Sequence, residues 1–542
     1  MEKKVNSNIR KFIRKSEGGD FASSYQLYKI YNEGHGVDDV DSHKAELYRG
    51  LCIKNMVDGQ FGIRKIQLEN YKGFEDITLD FSLKEKITIF VGNNGSGKST
   101  ILDAIQKCMT HVVSRLSTRS HNGDLIERYE IKKDKEYSRI NLVYTYKDID
   151  FPMTIGQDNL TDDNKGKSNY SGINELGQLF RMANTVEPNF NYPLLAVYTV
   201  ERANDVTTKD IENSDEIKEI QTWDKFKGYS KSLTGKADFR LFFRWVKELI
   251  EVENSDNSDI RLLKAEIRNK EKELDNPLLK ALISESPNSD ASKALIEQHN
   301  KIIINLKNKL NNYYNISSKT LTTVEDAIYS FLPGFSDLKL QRSPLDLLIS
   351  KDGVSLSVLQ LSQGEKTILA LVADIARRLT LLNPSLENPL LGTGVVLIDE
   401  IDLHLHPSWQ QKIIKSLQNT FKNIQFIVTT HSPQVCHTID GSNIYLLKNG
   451  YKAKAPKGTR GALSSWVLRN LFEVSDRPSD DEFTQKLEEY KNLVYSDEYK
   501  GARAEFLNDE LSKHFGRDYD VLVELQLYVE NREWERDFDK DK

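Results

Sequence analysis

Residues 86–105 read Lys86-Ile87-Thr88-Ile89-Phe90-Val91-Gly92-Asn93-Asn94-Gly95-Ser96-Gly97-Lys98-Ser99-Thr100-Ile101-Leu102-Asp103-Ala104-Ile105. An apolar run ending at a glycine predicts a strand buried on both faces. Ile101, Leu102, Ile105 and Met109 then fall at helical spacing. The loop between them, Gly92 to Thr100, fits the pattern GxxxxGK[ST] in the strand-to-helix context that confirms a P-loop. Its glycines let backbone N–H groups turn inward around phosphate oxygens, and the helix N-terminus adds the positive end of its dipole. Lys98 is placed to reach the β and γ phosphates, and the Ser99 hydroxyl to ligate Mg²⁺.

Three later stretches belong to the same chemistry. Val395-Val-Leu-Ile-Asp399-Glu400 is an apolar strand ending in two acids. Asp399 suits Mg²⁺, and Glu400 suits the polarisation of an attacking water. Leu361-Ser362-Gln363-Gly364-Glu365 opens an apolar helix, whose first N–H groups and serine hydroxyl suit an anion. Thr429-Thr430-His431-Ser432 follows the apolar run Ile424–Val428, where His431 can meet a γ-phosphate. The string from Asp399 to Pro407, DEIDLHLHP, alternates acids and imidazoles. Strand alternation there puts His404 and His406 on one face away from Asp399, so a zinc site is not expected.

Around this core the texture changes several times. Val5, Ile9, Phe12 and Ile13 give a first helix an apolar face amid lysines and arginines. Residues 20–56 read as two helices about a Gly34-His35-Gly36-Val37 break, with the small Ala45 permitting close packing. Ile63, Ile66, Leu68 and 77–81 alternate as strands, residues 138–155 as a hairpin, and the polar 156–176 reads as a loop. Ile260, Leu263, Ile267 and Leu274 follow coiled-coil spacing, as do Leu295, Ile302, Leu306 and Leu310, with breaks at Pro277 and Ser286–Asp290. That predicts a short antiparallel helical hairpin over 259–313. Past Arg477-Pro478 the chain is charged and helical, with apolar pairs Leu487/Tyr490 and Leu522/Leu525.

Composition narrows the class. At 542 residues, ~150 per domain suggests about three or four domains. Lys plus Arg is 75 and Asp plus Glu 81, a net −6 that disfavours a generally basic nucleic-acid binder. Apolar residues at 38% allow a sizeable core. Cys52, Cys108 and Cys436 are widely separated, which argues against a disulfide framework and for a reduced cytoplasm. No membrane span or signal peptide is expected.

The order P-loop, LSQGE, apolar strand with Asp-Glu, then a histidine after the next strand is the layout of ABC-type ATPase heads. Ile63-Arg-Lys-Ile-Gln-Leu-Glu-Asn-Tyr-Lys72-Gly-Phe74 resembles the first strands of RecF, SMC and Rad50 heads. The fold class expected is therefore α/β: an ABC-ATPase (RecF/SMC-like) head with a mixed sheet and P-loop core, a short helical-hairpin insertion, and helical N- and C-terminal appendages. The division expected is 1–56 N-terminal helices, 61–258 first lobe, 259–313 hairpin, 314–477 second lobe and 478–542 appendage. The resemblance implies ATP and Mg²⁺ as cofactors and Lys72 as a basic phosphate contact. It also implies that Ser362, Gln363, Gly364 and Glu365 complete the site of a second subunit in a head-to-tail dimer or higher oligomer, with Asp402 linking the two sites.

Residues 20–56 further resemble a Sel1-like repeat. Tyr192–Arg202 and Trp223–Trp245 resemble the middle of PtuA-type ATPases of antiphage defence, from Septu systems and some retrons. That resemblance implies a partner HNH nuclease of the PtuB type, and in the retron branch a reverse transcriptase and its multicopy single-stranded DNA. No HNH constellation is visible here, nor an acid-rich Toprim-like stretch after the head, so cutting is expected from a partner. The alternatives are a RecF/Rad50-like DNA repair ATPase, against which the short coiled coil and net acidity count, and a non-enzymatic nucleotide sensor, against which Glu400 and His431 count.

Overall fold

A computed structural model describes residues 7–34, 40–57, 59–117, 123–159, 166–200, 225–235, 239–253, 258–274 and 290–540. They form two compact units, Met1–Gly461 and Ala462–Lys542.

The first unit is built on three sheets. Strands β1 (Phe61–Glu69), β2 (Asp76–Asp80), β4 (Tyr137–Tyr146) and β5 (Ile149–Asp158) form an antiparallel sheet in the order β2-β1-β4-β5. Phe61, Gly62 and Ile63 at the start of β1 are all buried, and from Lys65 onward buried residues alternate with exposed or half-buried ones, as expected of a sheet covered on one face. The second sheet holds β3 (Ile87–Val91), β6 (Leu194–Tyr198), β10 (Gly394–Ile398), β11 (Ile424–Thr429), β12 (Ile444–Lys448) and β13 (Tyr451–Lys454), in the order β13-β12-β3-β11-β10-β6. All but β13 run parallel to their neighbours. Every residue of β3, β6, β10 and β11 is buried, which explains why these strands are predominantly apolar. Strand β3 lies between β11 and β12, so the two lobes named from sequence share one sheet.

Gln425 is the polar exception in β11. Its amide accepts from the Ile63 N–H at 2.7 Å and donates to the Ile63 carbonyl at 2.9 Å. That pairing stitches β11 to β1 where the β1–β4 register slips between Ile63 and Lys65. A buried amide with both groups satisfied is tolerable in an apolar strand.

The helices follow their patterns with some differences. Helix α1 (Ser7–Glu17) buries Ile9, while Val5 lies outside the described residues. Helices α2 (Phe21–Glu33) and α3 (Ser42–Lys54) start on Asp20 and Asp41, whose carboxylates cap Ser23 and Lys44 N–H groups. Gly34 ends α2 at φ 72°, and His35 to Val37 lie outside the described residues. Helix α4 (Lys98–Ser117) follows the P-loop. The 156–176 stretch is not one loop: β5 continues to Asp158 and α5 (Ser171–Val186) begins within it, burying Ile173 and Leu176. Sequence polarity there reflects only the residues between. Helix α6 (Phe239–Glu253) buries Phe242, Phe243, Trp245 and Val246. Arm α7 (Ser258–Leu274) meets α8 (Asp290–Phe331), with Glu271 and Lys307 paired at 2.7 Å. Helix α8 runs past residue 313 to Phe331, burying Val324 and Ile328, whereas Pro277 and Ser286–Ser289 lie outside the described residues. A third, antiparallel sheet of β7 (Phe335–Arg342), β8 (Leu345–Lys351) and β9 (Val354–Ser357) leads into α9 (Gln363–Leu382). All three cysteines are buried and free. Among the described residues no helix is long and apolar enough to cross a membrane.

The second unit has its own core. Leu487, Tyr490 and Val494 pack with Leu507, Leu511, Leu522 and Leu525, so both apolar pairs noted from sequence point inward. Its helices are Ser464–Leu471, Glu482–Tyr495, Ala502–Phe515 and Asp520–Lys540.

One ionic cluster fixes α9 in the first unit. Asp374 accepts from Arg377 at 2.8 Å, from Arg378 at 2.7 Å and from the Tyr198 hydroxyl at 2.9 Å. Arg378 also donates to the Gly228 and Ser230 carbonyls, both at 2.8 Å. Burial would raise the Asp374 pKa, but Arg378 and Arg377 hold it below the ordinary carboxylate range. Asp374→Ala leaves two buried guanidinium groups without their shared anion and should cost about 3–5 kcal/mol. In urea denaturation the midpoint should fall sharply. A carboxylate with a lowered folded-state pKa stabilises above its unfolded pKa, so the gap from wild type persists through neutral pH and closes as pH falls through the lowered value.

Candidate nucleotide site

Strand β3 delivers its chain end into Gly92–Gly97, and α4 begins at Lys98. Gly95 sits at φ 78° and Gly97 at φ 98°, the left-handed region that glycine enters without strain. A Cβ on Gly97 would fall 2.4 Å from the Phe74 ring, whereas one on Gly95 would meet nothing within 4 Å. The loop is therefore closed on the Phe74 side and open at Gly95. Ser96 Oγ is buried and has no hydrogen-bond partner among the described residues. The first N–H groups of α4 have no intrahelical acceptors either. A loop of this kind fits a polyanion.

Lys98 bends back over its own loop, donating to the Gly92 carbonyl at 2.8 Å and the Asn93 carbonyl at 3.1 Å. Burial pushes its ammonium below the ordinary lysine range, and Asp399, Glu400 and Asp402 oppose that shift. Ser99 Oγ donates to Asp399 Oδ2 at 3.0 Å. A hydroxyl and a carboxylate side by side form the oxygen donor set that Mg²⁺ takes.

Asp399 follows β10, and the chain leaves strand geometry at once: Glu400 has φ 47°. Thr429 at the end of β11 organises both acids. Its hydroxyl donates to Asp399 Oδ1 and accepts from the Glu400 N–H at 2.7 Å. Thr430 does the same work next door, donating to Asp402 Oδ1 at 2.5 Å. His431 follows, half-buried. Thr429 and Thr430 were quoted from sequence only as flanks of His431. Their role was legible in principle, as two hydroxyls where an apolar strand stops.

The strand alternation used above to separate His404 and His406 from Asp399 does not hold. Residues 401–404 form a turn, with Leu403 N–H on the Glu400 carbonyl at 2.9 Å and His404 at φ 62°. His406 caps the short helix Pro407–Gln410, with Nδ1 2.9 Å from Ser408 Oγ. Gln410 pins the turn by donating to the Leu405 carbonyl at 2.9 Å and accepting from Ser432 at 2.7 Å. Strand-forming residues fail to make a strand here because β10 has already ended at Ile398.

The LSQGE segment opens α9. Ser362 caps α9 in a reciprocal box with Glu365, and Glu365 pairs with Lys351 at 2.7 Å. A Cβ on Gly364 would fall 2.8 Å from the His404 carbonyl, so this glycine permits close approach of the chain's own Asp402–His404 turn. Lys72, at φ 49° in the turn after β1, is 2.5 Å from Asp103 Oδ2 and 3.2 Å from Glu130 Oε1. Asp103 and Glu130, which hold it, were not singled out from sequence.

A family model for the AAA ATPase domain matches residues 62–436. The chain belongs to that family. The retron Ec83 probable ATPase of Escherichia coli is 64% identical to it, covering 100% of both chains. The retron Vc95 probable ATPase of Vibrio cholerae serotype O1 biovar El Tor is 33% identical, covering 90% of this chain and 93% of its own. The Septu protein PtuA of Bacillus mycoides is more distant, 24% identical over 84% of this chain and 53% of its own length. The matched span covers the P-loop, the LSQGE helix, both acids and His431, and excludes the second unit. Within this ATPase, Lys98→Ala removes the buried cation of the loop. Titration with a fluorescent ATP analogue should show nucleotide binding lost while circular dichroism stays unchanged; wild-type affinity would sink the assignment of Lys98.

Proposed function

We propose that the protein is the ATP-binding and hydrolysing subunit of an antiphage defence complex and controls a partner nuclease. The observation that carries the ATPase half is the junction of Ser99 and Asp399 at the mouth of an open P-loop. Lys98 and the loop N–H groups hold the phosphates, and Ser99 with Asp399 holds Mg²⁺. Bound MgATP supplies the phosphoanhydride that is cleaved. Glu400, fixed through its N–H by Thr429, takes the proton of the attacking water, and His431 contacts the γ-phosphate. Lys72 reaches a phosphate only by giving up Asp103 and Glu130.

The site is completed in trans. Ser362 and Gln363 of a second copy cap the γ-phosphate, and Asp402 couples the two sites across the dimer. The resemblance of the LSQGE segment to that of ABC-type heads, where it completes the site of the opposite subunit, supports this reading. The similarity to retron and Septu ATPases supports the cellular half: an HNH nuclease partner, with a reverse transcriptase and its multicopy single-stranded DNA alongside, in the cytoplasm. The second unit, outside the family match, is the surface we assign to the nuclease.

Glu400→Gln keeps shape and removes the base, so ATP should bind normally and turn over at least ~100-fold more slowly. The trans arrangement is tested by mixing a Lys98→Ala chain with a Ser362→Asn chain; asparagine preserves the helix cap, and each chain should be inactive alone. Mixed dimers contain one intact composite site and should recover part of the activity. Recovery of nothing in dimers shown to be mixed would refute it. For the partner, a chain truncated after Gly461 should retain ATP binding and lose co-purification of the nuclease. Retained co-purification would move the dock onto the first unit.

A further inference from the structure

The third sheet, β7–β9, reaches the start of the LSQGE helix through Lys351. Within the sheet, Ser357 of β9 donates from its hydroxyl to Asp346 of β8 at 3.0 Å. Lys351, the last residue of β8, donates to Glu365 Oε1 at 2.7 Å. The other oxygen of that carboxylate, Oε2, accepts from the Ser362 hydroxyl at 2.7 Å and from the Ser362 N–H at 2.9 Å. One carboxylate therefore joins the sheet's lysine to the serine hydroxyl.

This arrangement poses an electrostatic problem. The helix start that is to meet a triphosphate carries an ionised Glu365 one hydrogen bond from Ser362. Burial pushes the Glu365 pKa upward, but Lys351 and Ser362 outweigh it and hold it below the ordinary glutamate range. An uncompensated carboxylate there repels an incoming phosphate, because like charges brought together during docking are strongly unfavourable.

We propose that Lys351 is a positioning residue for ATP hydrolysis: by neutralising Glu365 it removes the negative charge that would oppose the phosphate of a second copy at the start of the LSQGE helix. This rests on the trans-completed site proposed above. Lys351 pairs with Glu365. It acts only through Glu365, so its effect belongs to turnover by paired heads and not to the capture of ATP by one head. The sheet thereby has a use: a fold element that carries one cation to one carboxylate. Lys351 also lies 5.6 Å from the centre of the Phe335 ring on β7, which limits where its ammonium can go.

The test is a double-mutant cycle on the full-length protein, reading kcat and, separately, ATP affinity. Lys351→Met should lower kcat about 10-fold or more, the scale of an unscreened charge at a partly buried site, with ATP affinity unchanged. Lys351→Arg, which keeps the charge, should restore most of kcat. In a Glu365→Gln background the same Lys351→Met change should have no further effect, because there is no charge left to neutralise. A purely structural brace would behave otherwise: Lys351→Met would lower the thermal midpoint and kcat together, and would still cost activity in the Glu365→Gln background. That outcome overturns the proposal, as does an unchanged kcat in Lys351→Met. The underlying reading fails differently. If Ser362→Asn hydrolyses ATP at the wild-type rate, the trans site itself is wrong; if Ser362→Asn is inactive and Lys351→Met is normal, only the role of Lys351 falls.

Discussion

The bond from Ser99 to Asp399 joins residues 300 positions apart, and the rest of the site depends on the constraint that makes it possible. Strands β3, β11 and β10 are parallel and in register, with Phe90 opposite Thr429 and Val428 opposite Ile398. Parallel neighbours end on the same side of the sheet, so whatever follows each strand converges there. The P-loop follows β3, the two acids follow β10, and Thr430 and His431 follow β11. The long excursion between P-loop and acids is tolerated because the entropy of closing a loop grows only with the logarithm of its length.

Convergence alone does not orient the acids. Two carboxylates on consecutive residues of a strand would point to opposite faces. The chain avoids this by leaving strand geometry at Glu400, whose φ of 47° is costly for a residue with a side chain, of order 1–3 kcal/mol. The Thr429 hydroxyl on the Glu400 N–H and the Ile401 N–H on the Thr429 carbonyl at 3.0 Å hold that turn. The same hydroxyl is committed to Asp399. A candidate metal ligand and a candidate base are thus set by one side chain on the neighbouring strand.

What the sequence made legible is what local pattern encodes. Buried parallel strands announce themselves as apolar runs, and the P-loop as a spacing of glycines before Lys98. Illegible were the contacts that need a remote partner. Gln425 looks like a flaw in an apolar strand until Ile63 is beside it. Lys72 looks like a free cation until Asp103 and Glu130 enclose it. Gly364 suggests room for a ligand, and the space is taken by the chain's own His404 carbonyl. The 401–404 turn defeated period-two reasoning because a strand's end is set by its neighbours in the sheet, which no alternation of residue types records.

The LSQGE helix shows why such remote contacts matter. Near its start, Gly364 lies against the turn that carries Asp402 to His404, and farther along Asp374 is bound to Tyr198 of β6. Strand β6 pairs with β10, the strand that ends at the acids. Helix α9 is therefore linked to the region of Asp399 and Glu400 in two places, at the turn after them and at the strand beside them. An apolar interface along the helix would permit sliding at small cost, since dispersion contacts are non-directional. A carboxylate shared by two arginines and a tyrosine does not, because a small displacement leaves buried charge unpaired. The ionic cluster thus ties α9 to β6 more firmly than apolar packing alone would.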